Sequence, residues 1–171
     1  MTDRVLLDNA DCAQDSGNLL SAVSDRQAMV DYIKNKDVLM AVIVRRSFSE
    51  PGIHFFTPDE LSQQLAYMRH PAGKIIEPHL HTPVPREVQY TQEALVIKRG
   101  KLRVDFYDEQ CCYLESRILD AGDVILLAVG GHGFEVLEEI EMIEVKQGPY
   151  AGDRDKQRFP GVPADHAKVM K

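Results

Sequence analysis

The sequence predicts an all-β domain, a sandwich or barrel of short strands, and three observations carry that prediction. From residue 38 onward the apolar runs are short and rich in β-branched residues. Turn formers punctuate them at Pro51-Gly52, Pro71-Ala72-Gly73, Arg99-Gly100-Lys101, Asp108-Glu109, Asp120-Ala121-Gly122 and Gly130-Gly131. Length is the third: 171 residues suffice for one domain with a core and an appendage, but not for two full domains.

In chain order, the first element reads as a short amphipathic helix. Ser24 can cap it, Gln27 completes a capping box, and Met29, Val30 and Ile33 share one face before Asn35-Lys36-Asp37 ends it. Thr57-Pro58-Asp59-Glu60 is a second cap signal, with proline at the first helical position, and we read it as a single turn. Strands are expected at 38–45, 53–56, 65–69, 75–80, 94–98, 102–107, 113–119, 124–127, 134–137 and 140–146. After Gly148 the chain turns polar through Pro149, Gly152, Pro160, Gly161 and Pro163, which reads as an extended tail. The expected organisation is a helical extension over 1–37, a β-domain over 38–148 and a tail over 149–171.

Charge narrows the partners. Acidic residues number 27 against 20 basic ones, and no basic block stands clear of compensating acids, so a nucleic-acid or anionic-membrane surface is not expected. A small molecule or a protein partner remains. The opening Met-Thr-Asp-Arg lacks a basic-then-apolar signal pattern, and the apolar runs at 38–44 and 124–129 are too short to span a bilayer; a cytoplasmic protein is expected. Three cysteines, with Cys111 and Cys112 adjacent, make neither a disulfide framework nor a paired zinc site, and half-buried or buried thiols are expected. The apolar strand 38–44 is the candidate edge for a homodimer.

The chemistry begins with His79 and His81. On a strand, side chains two apart share a face, so both imidazoles can reach one ion at about 2.0–2.2 Å if that face looks inward. Gly73 precedes this pair by a five-residue gap, and Glu93 precedes Gly100 by a six-residue gap; further on come Gly122 and Ala128-Val129-Gly130-Gly131-His132. This order resembles the two motifs of the cupin superfamily over about 60 residues, with the loop before the glutamate lengthened. The resemblance implies a cupin jelly-roll barrel in which His79, His81, Glu93 and His132 bind one divalent metal ion. Three imidazoles and a carboxylate suit Fe, Mn, Ni, Cu or Zn and leave positions for water or substrate. Glu93 also shares a strand face with Leu95, where a carboxylate is costly to bury unless a cation neutralises it.

The sequence departs from the family in three places. Residues 82–92 intervene where the family has only a few, so Glu87, Gln89 and Gln92 compete with Glu93 as the fourth ligand; Glu93 keeps the spacing to Gly100. Ala128 replaces the usual proline, the gap from Gly130 to His132 is one residue shorter than in the family, and Val136 replaces the closing asparagine. The stretch 82–87, stiffened by Pro83 and Pro85 and carrying Arg86, is either a cover for the barrel mouth or a plain surface loop.

The resemblance implies a mononuclear metal enzyme of oxidoreductase, dioxygenase or isomerase type, acting on a small polar molecule, with carbohydrates among the candidates. Tyr90, Glu87 and Glu135 are the candidate acids and bases. A different class is a non-catalytic ligand-binding or regulatory cupin. A third reading keeps proton transfer by histidine and tyrosine without metal, as in the sugar-nucleotide epimerase and isomerase branches. No helix-turn-helix reader is visible beside the barrel.

Overall fold

Backbone pairing in the computed structural model, which describes residues 29–149 and 152–170, is almost wholly antiparallel. Strands make up 47% of the described residues, which hold almost no helix, and the main sheet curls into a half-barrel. Its strands are β1 (Val30–Asn35), β2 (Val38–Val44), β5 (Glu93–Tyr107), β6 (Tyr113–Asp120), β7 (Val124–Leu127) and β8 (Gly131–Lys146), while β3 (Gly52–Phe55) and β4 (Ala66–Arg69) form a separate hairpin. The spatial order is β1-β2-β7-β5-β6, with β8 on β5. The first half of β5 lies between β7 and β8, and its second half between β6 and β8.

Alternation builds the two packed layers. Ile33, Ile43, Leu95, Ile97, Val104, Phe106, Ile125 and Leu127 point to the inner face and form the main core. The opposite face of β1 and β2 packs Val30, Val42 and Val44 against Phe48 and Phe56. Each such side chain contributes roughly 1.5–3 kcal/mol on leaving water, so these layers dominate the stability of the sheet.

Four expectations need correction. Val30–Asn35 is a strand paired with β2, not the end of a helix. Ser24 and Gln27, the expected cap, lie outside the described residues. The chain over 75–80 is no strand: residues 71–90 are exposed throughout, and Pro78 removes a ladder donor in the middle of the expected pairing. β2 has a neighbour on each side and offers no edge to a second subunit. Cys112 is exposed, whereas Cys111 is half-buried.

The turn expected at Gly100 is a bulge inside one continuous strand. Gly100 has φ 86°, and a Cβ there would stand 2.1 Å from the Glu139 carbonyl oxygen. Only glycine permits that approach. The basic run on β5 meets acids on β8: Lys98 and Arg99 face Glu141, Lys101 faces Glu138, and Arg103 faces Glu135. Arg103 is buried, and its fork donates to both oxygens of Asp105, at 2.8 and 3.0 Å. Among the described residues no helix is long and apolar enough to cross a membrane.

Candidate functional site

Glu93 opens β5 between Leu127 of β7 and Lys146 of β8, on the same inner face as Leu95 and Ile97. Its side chain is 5% exposed. His132 is the second residue of β8 and lies opposite Phe106 of β5. The curl of the sheet brings the two together: His132 Nε2 donates to Glu93 Oε2 at 3.2 Å. The other oxygen, Oε1, faces Lys146 Nζ at 3.4 Å and Lys156 Nζ at 3.5 Å.

This neighbourhood keeps Glu93 ionised. The hydrogen bond from His132 is the largest cause; burial opposes it, and the charges of His132, Lys156 and Lys146 add to it, holding the carboxyl at about 2 against an ordinary 4.5. Lys146 is shifted upward, first by its hydrogen bond to Glu144 and then by its charge interaction with Glu93.

A cavity of about 340 Å3 opens beside the pair. Glu93 and His132 line it together with the β7–β8 connection over 128–131, the approach to β5 at Gln89, Tyr90 and Thr91, and the tail residues Asp155, Lys156 and Phe159. Gly131 contributes by what it lacks: a Cβ there would lie 3.0 Å from the Phe159 ring and 3.1 Å from Tyr107 Cβ. Gly130, with φ 87°, turns the chain into β8 beneath Met40.

The remaining candidates lie elsewhere. His79 and His81 face each other with ring centroids 5.1 Å apart, on the exposed segment 71–90. Among the described residues no group of three or more histidine, cysteine, aspartate or glutamate side chains is arranged to hold a metal, so the histidine couple and the Glu93–His132 pair are separate. Gln92 is buried, but its Oε1 accepts from the Gln63 backbone at 3.1 Å and from Ser62 Oγ at 3.3 Å. Glu87 lines a neighbouring cavity of about 290 Å3, where Gln89 and Tyr90 also contribute. Tyr90 reaches the main cavity and is 54% exposed. Glu135 projects from the opposite face of β8 to His132 and pairs with Arg103.

Two residues of the site escaped the sequence reading. Lys146 is the register partner of Glu93, a signal available only once the last strand is laid antiparallel to β5. Lys156 arrives from the tail, whose docking against the sheet no sequence pattern signals. Compared with family models, curated proteins and solved structures, the chain finds no match.

Proposed function

We propose that the cavity beside Glu93 binds a small polar molecule, and that the Glu93–His132 pair is its reactive centre, completed by a divalent metal ion. One observation supports this most: a nearly solvent-free, ionised carboxylate is hydrogen-bonded to an imidazole at the wall of a cavity of about 340 Å3. The donors suit an ion. Oε2 and Nε2 are 3.2 Å apart, the separation of two adjacent ligands each about 2.0–2.2 Å from one centre. The cupin-like order of His79, His81, Glu93 and His132 supports the same set, with the histidine couple delivered by the segment 71–90. When bound, the ion would polarise a carbonyl or carboxylate oxygen of the substrate. Tyr90, alone of the three acid–base candidates on the wall with Glu93, would exchange the proton.

A second reading draws on Lys146 and Lys156. They supply Glu93 with positive charge from the chain itself, so the pair can work without metal: Glu93 orients the His132 ring, and His132 and Tyr90 move protons. Elemental analysis separates the two. The metal reading expects close to one ion per chain, lost in His132→Ala and in the double variant His79→Ala/His81→Ala. Full metal retention by the double variant overturns the four-ligand set. Metal-free protein that still binds small polar molecules through His132 favours the second reading over the first.

A further inference from the structure

The tail from Gly152 onward is stitched to the sheet at several points. Phe159 packs edge-on against Tyr107 with centroids 5.0 Å apart, and the Val162 N–H donates to the Tyr107 hydroxyl at 2.8 Å. The Lys168 N–H donates to the Tyr113 hydroxyl at 2.7 Å, while Ser116 donates to the Lys168 carbonyl and accepts from Met170, each at 2.9 Å. Behind these contacts lies a buried chain: Tyr113 to Ser116 at 2.8 Å, Ser116 to Asp105 at 2.5 Å, and Asp105 to Arg103. At the cavity, Thr91 Oγ1 donates to Asp155 at 3.0 Å. The tail is therefore a clasp that carries the next residue, Lys156, to the cavity wall.

We infer that Lys156 is the ligand-recognition residue of this cavity, and that the small molecule it receives carries an anionic group, a carboxylate or a phosphate. The inference rests on the cavity being the ligand site proposed above. Its argument is one of charge and reach. Lys156 and Lys146 stand 3.5 and 3.4 Å from Glu93 Oε1, both beyond the ~2.7–2.9 Å of a strong charge-assisted bond, so exposure and not distance tells them apart. Glu93 meanwhile keeps Lys146 on the same oxygen and His132 on the other. Lys156 is also 44% exposed, against 20% for Lys146, so its ammonium can turn to an incoming anion without leaving a buried carboxylate unpaired. Asp155, the other acid at this wall, is engaged by Thr91, and Thr91 and Gln157 offer further polar contacts.

The test is titration of the intact protein with inorganic phosphate, malonate and neutral glucose at constant ionic strength. Lys156→Gln is expected to weaken phosphate or malonate binding by about tenfold or more, as loss of a charged hydrogen bond requires, while Lys156→Arg stays within about threefold of wild type. Lys98→Gln, on the outer surface, should change nothing. Tyr113→Phe, which removes a clasp anchor, should weaken the anion less than Lys156→Gln does. Equal anion binding by wild type and Lys156→Gln, or no anion binding by wild type, overturns the inference. If glucose still binds in a His132-dependent way, the cavity reading survives that failure; if none of the three probes binds, both fall.

Discussion

The two histidine sites of this chain differ in what lies beneath them. His132 stands on a strand paired with β5 along its length, and its ring meets a carboxylate fixed by the first residue of that partner strand. His79 and His81 stand on chain exposed over 71–90, where the contacts are local: His79 Nδ1 meets the Glu77 carbonyl at 3.0 Å and Arg86 donates to Val84 at 3.4 Å. Ile75, Ile76 and Leu80 on that segment are 73%, 61% and 90% exposed, which is costly for apolar side chains and gives the segment a driving force to bury them. Half of the four-residue set is therefore positioned by the sheet, and the other half by local chain geometry. A ladder fixes register to within a residue, whereas local contacts fix little beyond their own turn.

The hardest blow to the sheet-held half is Gly100→Ala. The added methyl group collides with the Glu139 carbonyl, and the left-handed backbone penalises any side chain. Strain and overpacking together predict a loss of roughly 2–5 kcal/mol in urea unfolding. Because the bulge also sets how β5 runs against β8, the Glu93–His132 contact should loosen with it. A loss below about 1 kcal/mol would mean that the bulge is soft and does not hold the pair in place.

Acid should act next, through Glu93. Its folded-state value lies at about 2, below the ordinary 4.5, so its contribution is complete above 4.5 and is lost as pH falls toward 2. The shift corresponds to about 3 kcal/mol. Wild type and Glu93→Gln, unfolded by urea at a series of pH values, should differ most near neutrality and converge between about 4.5 and about 2. A constant difference across that window would place the stabilisation in packing and not in charge.

These two residues show what the sequence could convey. Glu93 and His132 stand out in the sequence through a cupin-like order of residues around Gly100 and Gly130, and both glycines have positive φ in the fold, Gly100 in a bulge of β5 and Gly130 at the entry to β8. The strands β2, β6 and β7 follow their expected limits closely, since each is a short apolar run between turn residues. Val30 and Ile33 misled for a physical reason. Their three-residue spacing imitates one helix face, yet on β1 they point to opposite sides, Val30 into the outer cluster and Ile33 into the main core. A strand buried on both faces carries no alternation to read. Lys146 and Lys156 were hidden because cross-strand register and tail docking are tertiary facts. The expected 75–80 strand had the right apolar content, but the pattern held no information about an available partner strand.

The smallest effect belongs to the exposed couple, and it tests the comparison most sharply. His79→Ala/His81→Ala removes side chains from an exposed segment and should change stability by less than about 0.5 kcal/mol in metal-free buffer. Repeating the measurement with excess Zn2+ or Mn2+ asks whether the two halves meet. An ion held jointly stabilises the folded chain by an amount that grows with its concentration over the dissociation constant, about 2.7 kcal/mol at a hundredfold excess. Wild type should then gain and the double variant should not. Equal gains would confine the ion to the sheet-held pair, whereas a loss above about 1 kcal/mol without metal would show that the two imidazoles themselves make stabilising contacts in the folded chain.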